Sequence, residues 1–155
     1  MPQNYRLNIP RFATWFLGLS IGLPLLIEGL KAATGLDLSS GGLSVIPIML
    51  TTMNEGAHYV RATKTRPDGQ TAWKLSALFA LFGTMLSMLL AAIVLVSAPQ
   101  VLGWAVRPGV AFILIFAAVM FTVFAVVARI FVGLGARNEM RRLEAAEARA
   151  GDDSA

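Results

Sequence analysis

The sequence contains no cysteine and only one histidine, His58, among its 155 residues. Disulfides, thiolate metal sites and a cysteine nucleophile are therefore excluded, and haem or iron–sulfur ligation is poorly supported. The sequence also lacks a Walker loop, a dinucleotide fingerprint, an HExxH motif and a GxSxG motif. We therefore expect no catalytic residues, no metal and no cofactor, and a protein that is not an enzyme.

Charged residues are scarce as well, at 14% of the chain, whereas hydrophobic residues make up 56%. Soluble domains carry roughly 25% charged residues, and a soluble chain of this length could not hide so much apolar surface. The net charge is +4. However, the basic residues collect beside apolar runs, which argues against nucleic acid as a partner. We expect the lipid bilayer to be the main partner.

Four apolar segments each approach the roughly 20 residues that a helix needs to cross a bilayer. Their apolar runs are continuous, without the alternation that is typical of strands. The predicted spans lie at about 12–33, 43–60, 75–98 and 110–128. The first span is too long and too charged for a cleavable signal peptide, so we interpret it as a retained anchor. The sequence therefore predicts an all-α, integral membrane four-helix bundle.

Lysine and arginine are distributed unequally between the two sides of this predicted bundle. One side carries only Lys31 and Arg107. The other side carries Arg6, Arg11, Arg61, Lys64, Arg66, Lys74, Arg129, Arg137, Arg141, Arg142 and Arg149. Because lysine and arginine favour the cytoplasmic side, both termini and the middle loop are predicted to be cytoplasmic.

The predicted domain boundaries follow from this topology. We expect a cytoplasmic N-terminus at 1–11, a four-helix transmembrane domain at 12–133, and a charged cytoplasmic helix with a disordered tail at 134–155. The last helix is predicted to extend from the fourth span into solvent, and docking of a partner protein is the alternative.

Polar residues gather where the second span leaves the predicted membrane. Asn54 lies in this region, next to a set of four residues at spacings of seven, four and three: Ser44, Thr51, Glu55 and His58. These spacings place the four residues on one helix face. We predict a polar seam between helices in which Glu55 pairs with Arg129 at the inner end of the fourth span. The Glu55-x-x-His58 spacing also occurs in carboxylate-bridged di-metal bundles, but the second copy that such sites need is missing here.

Two charged residues and two prolines lie toward the outer ends of the first two spans. Glu28 and Lys31, one helical turn apart, predict an ion pair, or alternatively a proton or cation site. Pro24 and Pro47 each remove one backbone donor and predict helix kinks. Such kinks would be packing bends, or they would open a small cavity between the helices.

Small residues suggest where the helices approach one another closely. Gly18 and Gly22 form a GxxxG pattern on the first span, and Gly83 and Ser87 form a similar ridge on the third. Such residues let helix backbones come close together. They predict contacts within the bundle or in a dimer.

The stretch SVIPIMLTTMNEG, at 44–56, is followed by a basic loop with Pro67 and by Trp73 before the third span. Over 44–84 the chain resembles a family of small uncharacterised bacterial four-helix inner-membrane proteins. It departs from that family at Thr71-Ala72, where an acidic residue is expected nearby. The resemblance implies a bacterial inner-membrane location and a four-span topology, and it implies no catalytic activity.

Three functions remain open at this point. The small extramembrane part and the ample helix-packing surface favour a non-enzymatic accessory subunit or assembly factor of a membrane complex. A small homo-oligomeric transporter or channel is the alternative, because four spans alone enclose little aqueous path. A membrane-embedded enzyme would require Glu55 and His58 to bind a metal.

Overall fold

The computed structural model of the protein describes residues 8–35, 45–97 and 110–152. These residues form four helices: α1 (Ile9–Thr34), α2 (Ile46–Thr63), α3 (Gly69–Ser97) and α4 (Val110–Asp152). The prediction of an all-helical chain with four helices is confirmed for this part of the sequence. Ser44 and Arg107 lie outside the described residues, as do most of the N-terminus and the loop between α3 and α4.

Local sequence explains where the helices begin and end. The Asn8 side chain accepts a hydrogen bond from the Arg11 backbone N–H at 3.0 Å, which caps the start of α1. Gly35 ends α1 in the left-handed conformation, with φ of 73°. Lys64 ends α2 with φ of 55° and donates its N–H to the Val60 carbonyl. Asp68 precedes α3, and its hydrogen bond with the Thr71 hydroxyl lowers the pKa of its carboxyl group.

The two prolines differ in their effect on the helices. Pro24 lies inside α1, which continues without a break on both sides of it. Pro47 lies in the first turn of α2, because the helix begins at Ile46 rather than near residue 43. A backbone N–H in that first turn has no intrahelical partner, so a proline there removes no hydrogen bond. The predicted kink at Pro47 is therefore wrong.

A cluster of aromatic rings forms the centre of the core. Phe12 of α1 stacks on Phe79 of α3, with ring centroids 4.9 Å apart. Phe16 of α1 meets Phe124 of α4 edge to face at 6.4 Å. All four rings are buried, as is Ile48 of α2. The cluster joins all four helices, but it involves only the first half of α1.

The closest approach between helices lies where α2 crosses α4. A Cβ atom at Gly56 of α2 would overlap the backbone carbonyl of Val132. A Cβ atom at Gly135 of α4 would overlap the backbone carbonyl of Met53. Only glycine fits at these two positions, so the crossing depends on both residues.

Three helices, α1, α3 and α4, contain apolar windows long enough to cross a membrane. α2 is not among them, so the structure supports three of the four predicted spans by length and composition. At most 22% of each window is buried within the chain. Most of the apolar surface of these three helices is therefore left uncovered by the fold itself.

The glycine crossing gives a direct test of this packing. Gly135→Ala should lower the free energy of unfolding by about 1–3 kcal/mol, because the added methyl group meets backbone that cannot move aside easily. The measurement is unfolding by sodium dodecyl sulfate titration in detergent micelles, followed by circular dichroism. Gly22→Ala is the matched control, since nothing lies within 4 Å of a Cβ atom there. Equal stability changes for both variants would contradict the close crossing.

Candidate functional site

Two ion pairs hold three helices together at one end of the bundle. Arg11 of α1 binds Glu55 of α2 through Nε to Oε1 at 2.8 Å and Nη2 to Oε2 at 2.7 Å. Arg61 of α2 binds Glu139 of α4 through Nε to Oε1 at 2.6 Å and Nη2 to Oε2 at 3.1 Å. Both guanidinium groups use the two-bond geometry that makes such pairs strong. These four residues define what we call the charged end.

Of the two pairs, the one between Arg11 and Glu55 contains the more deeply buried carboxylate. The Glu55 side chain is 1% exposed, and that of its partner Arg11 is 29% exposed. A carboxylate that is so thoroughly buried needs charged or hydrogen-bonding partners, because desolvation disfavours its ionised form. Arg11 supplies two donors and thereby ties the start of α1 to α2.

The predicted pairing of Glu55 with Arg129 is wrong. The guanidinium carbon of Arg129 lies 5.9 Å from the centre of the Trp73 ring on α3. Arg129 therefore contributes a cation–π contact between α3 and α4, whereas Glu55 binds Arg11 of α1. Sequence reasoning used Arg11 only as an indicator of topology. The pair could have been predicted from the position of Arg11 in the first turn of α1, at a membrane depth close to that expected for Glu55.

The other residues of the predicted seam have different surroundings. Thr51 is buried on the same side of α2 as Glu55, and its hydroxyl has no hydrogen-bond partner within the described part of the chain. Asn54 and His58 are half-buried. The described residues contain no group of three or more histidine, aspartate or glutamate side chains that could hold a metal ion. The structure therefore offers no support for the di-metal alternative.

The predicted pair of Glu28 and Lys31 does not form. Glu28 is exposed on α1, and neither of the two ion pairs that the described residues show includes it. Lys31 is half-buried, one turn further along the helix. Glu28 thus lies on the outside of the described helices.

The predicted small-residue contacts differ between the two helices. Gly83 packs inside the bundle, where an added Cβ atom would lie 3.2 Å from the side chains of both Ile48 and Phe124. Ser87, one turn along α3, is half-buried. Gly18 and Gly22 are exposed, with nothing near their would-be Cβ positions. The GxxxG pattern of α1 therefore makes no close contact with the other described helices.

A groove of about 270 Å³ runs between α2 and α4 at the charged end. Nine residues line it: Leu50, Met53, Asn54, Ala57, Arg61, Gly135, Asn138, Glu139 and Arg142. Hydrogen bonds from Arg61 lower the pKa of the Glu139 carboxyl group, which lies beyond the apolar part of α4. Glu139 is therefore ionised at neutral pH, and the groove is lined by one carboxylate and two guanidinium groups.

Comparisons with known proteins provide no relative for this chain. No protein-family model, no curated protein and no solved structure matches it. The family resemblance of the segment at 44–84 therefore stays a prediction.

The two ion-pair assignments can be tested by double-mutant cycles. Arg11→Ala should lower the free energy of unfolding by about 3 kcal/mol, because it removes two charge-assisted hydrogen bonds from a buried carboxylate. Arg129→Ala should cost only about 0.5–1 kcal/mol, the value of a cation–π contact near the protein surface. With Glu55→Gln as the second change in each cycle, we expect a coupling above about 1 kcal/mol for Arg11. The coupling for Arg129 should be close to zero, and the reverse order would refute the assignment.

Proposed function

We propose that this chain is a multi-pass protein of the bacterial inner membrane, with both termini in the cytoplasm. We further propose that it acts without catalysis, as an accessory subunit or assembly factor of a larger membrane complex. The observation that carries this proposal is the extent of apolar helix surface that the fold leaves uncovered.

Exposed apolar side chains occur on three helices, α1, α3 and α4. On α1, Leu25 and Leu26 are 67% and 62% exposed, and on α4, Leu114 and Ile115 are 65% and 64% exposed. Soluble monomers rarely expose contiguous apolar patches larger than a few hundred Å². Lipid tails and the helices of a partner protein are the two environments that would cover such a surface.

The length of α4 supports a cytoplasmic extension. At 1.5 Å per residue, its 43 residues extend about 65 Å, roughly twice the 30 Å thickness of the hydrocarbon layer. If Val110 lies near one boundary, the charged part from about residue 134 must extend beyond the other. That part carries most of the basic residues of α4, in keeping with a cytoplasmic location.

The burial of α2 supports a fourth span beside the three apolar windows. α2 is only 18 residues long, and it buries Thr51, Thr52 and Glu55 against the other helices. Polar side chains are tolerated within a membrane where they face protein rather than lipid. If the other helices shield α2 from lipid, it could therefore cross the membrane although its own sequence is less apolar than those of α1, α3 and α4.

The charged groups of the bundle favour a structural role over a catalytic one. Both oxygens of Glu55 accept hydrogen bonds from Arg11, and both oxygens of Glu139 accept them from Arg61. A carboxylate held in this way joins helices and is poorly placed to accept a proton from a substrate. Meanwhile the exposed Gly18 and Gly22 offer a flat face to another helix.

The first experiment is affinity purification of the tagged chain at its native level in a mild detergent, followed by native mass spectrometry. We expect a foreign membrane protein in stoichiometric amount, and we expect Gly18→Leu to reduce its recovery while leaving the fold of the chain intact. A null strain should contain less of the complex or a smaller one. Unchanged size and amount of every native membrane complex in that strain would contradict an accessory role.

One observation favours the alternative, a small homo-oligomeric transporter or channel. Glu28 is exposed on an apolar helix, and charged residues within membranes usually face protein or a water-filled path. A second copy of the chain that covered α1 would place Glu28 at such a path.

The alternative predicts that Glu28→Gln abolishes ion flux in proteoliposomes. Glu144→Gln is the matched control, because Glu144 is also exposed but lies on the charged extension of α4. Flux that survives Glu28→Gln, or that is absent from the wild-type protein, would remove the alternative.

A further inference from the structure

The groove between α2 and α4 changes character along its length. Its α2 wall carries the apolar residues Leu50, Met53 and Ala57, with Asn54 among them, and ends at Arg61. Leu50 and Arg61 are about 16 Å apart along the helix axis. The α2 wall is therefore mostly apolar before Arg61, and the other end, which belongs to the charged end of the bundle, is rich in hydrogen-bond donors.

Several of these donors are not used by the fold. Arg61 donates to Glu139 from Nε and Nη2, so the two N–H bonds of Nη1 lie outside that pair. Arg142 is exposed and forms no ion pair or hydrogen bond with any residue of the described segments. The amides of Asn54 and Asn138 also line the groove. Two guanidinium groups and two amides thus line the same groove.

The charge of the groove favours an anion. Arg61 already neutralises Glu139 through two hydrogen bonds. Arg142 therefore adds a positive charge that the groove itself does not balance. Arginine is well suited to phosphate, because its planar guanidinium group can donate two parallel hydrogen bonds to two phosphate oxygens.

We propose that this groove binds an anionic phospholipid. The phosphate of the headgroup would accept hydrogen bonds from Arg142 and Arg61 Nη1, and one acyl chain would lie along Leu50, Met53 and Ala57. A space of about 270 Å³ holds a headgroup and leaves the rest of the acyl chains outside, on the exposed apolar surface. Basic pockets between helices at the cytoplasmic boundary are common sites for anionic headgroups.

The geometry distinguishes a lipid from a soluble phosphate compound. A soluble ligand would have no use for the apolar wall of α2, whereas a phospholipid needs both parts of the groove side by side. Gly135 contributes on the opposite wall, because the lack of a side chain there lets α4 approach α2 at Met53, in the apolar part of the groove. The proposal rests on the membrane location that is proposed above.

The test is titration of phosphatidylglycerol into the detergent-purified full chain, with bound lipid counted by native mass spectrometry. Arg142→Gln should weaken binding about fivefold more than Arg141→Gln does. Arg141 is exposed and adjacent in sequence, but it does not line the groove. The control variant therefore removes the same charge from the same helix turn and reports the general electrostatic effect. Asn138→Ala should also weaken binding, without changing the net charge.

Two further probes separate the parts of the proposed ligand. Dioleoylglycerol has the acyl chains without the phosphate, and inorganic phosphate has the anion without the chains. We expect neither to displace phosphatidylglycerol at matched concentrations. Displacement by inorganic phosphate would show a site for soluble anions and would overturn the lipid assignment. Equal losses of binding in Arg142→Gln and Arg141→Gln would overturn the groove as the site.

Failure of the membrane proposal would look different. After carbonate extraction, the wild-type chain expressed in bacteria would then be found in the soluble fraction and not in the membrane fraction. If the chain is retained in the membrane fraction but Arg142→Gln binds phosphatidylglycerol as well as Arg141→Gln does, only the lipid site is refuted.

Discussion

The rest of the structure depends on the close crossing of α2 and α4. Gly56 and Gly135 let the two backbones meet where any side chain would overlap a carbonyl group. This approach brings Arg61 within hydrogen-bonding distance of Glu139 and leaves the groove between the same helices. It also places Ile48 against the aromatic cluster that α1 and α3 complete. In a membrane, where burial of apolar side chains gives little driving force between helices, such tight contacts are a main source of stability.

The way α1 is attached explains the uneven packing of the bundle. Its first half contributes Phe12 and Phe16 to the core, and Arg11 to the pair with Glu55. Beyond Phe16, only Ile27 of this helix is buried. Strong polar and aromatic contacts at one end thus coexist with extensive uncovered apolar surface elsewhere. This contrast supports the proposed membrane location, because a soluble monomer would have to cover that surface itself.

The sequence predicted the elements well and their contacts unevenly. The long apolar runs located α1, α3 and α4, since a continuous hydrophobic segment is a strong signal of a helix. The role of Pro47 was misassigned, because a proline marks a first helical turn as well as it marks a kink. The partner of Glu55 was misassigned for a related reason. Depth in a membrane can be estimated from sequence, but the direction in which Arg129 points around its helix depends on how α4 packs against α3.

Composition and hydrophobic patterning alone determined the helical class, the number of helices and the absence of cysteine chemistry. Their signals are local, so each can be evaluated without knowing how the helices pack. Only the tertiary structure decided that Arg11 reaches Glu55, that Arg61 reaches Glu139, and that Gly18 and Gly22 lie on the outside. These contacts join residues that are far apart in the chain. They depend on the rotation of each helix about its axis, which packing determines and a single sequence does not reveal.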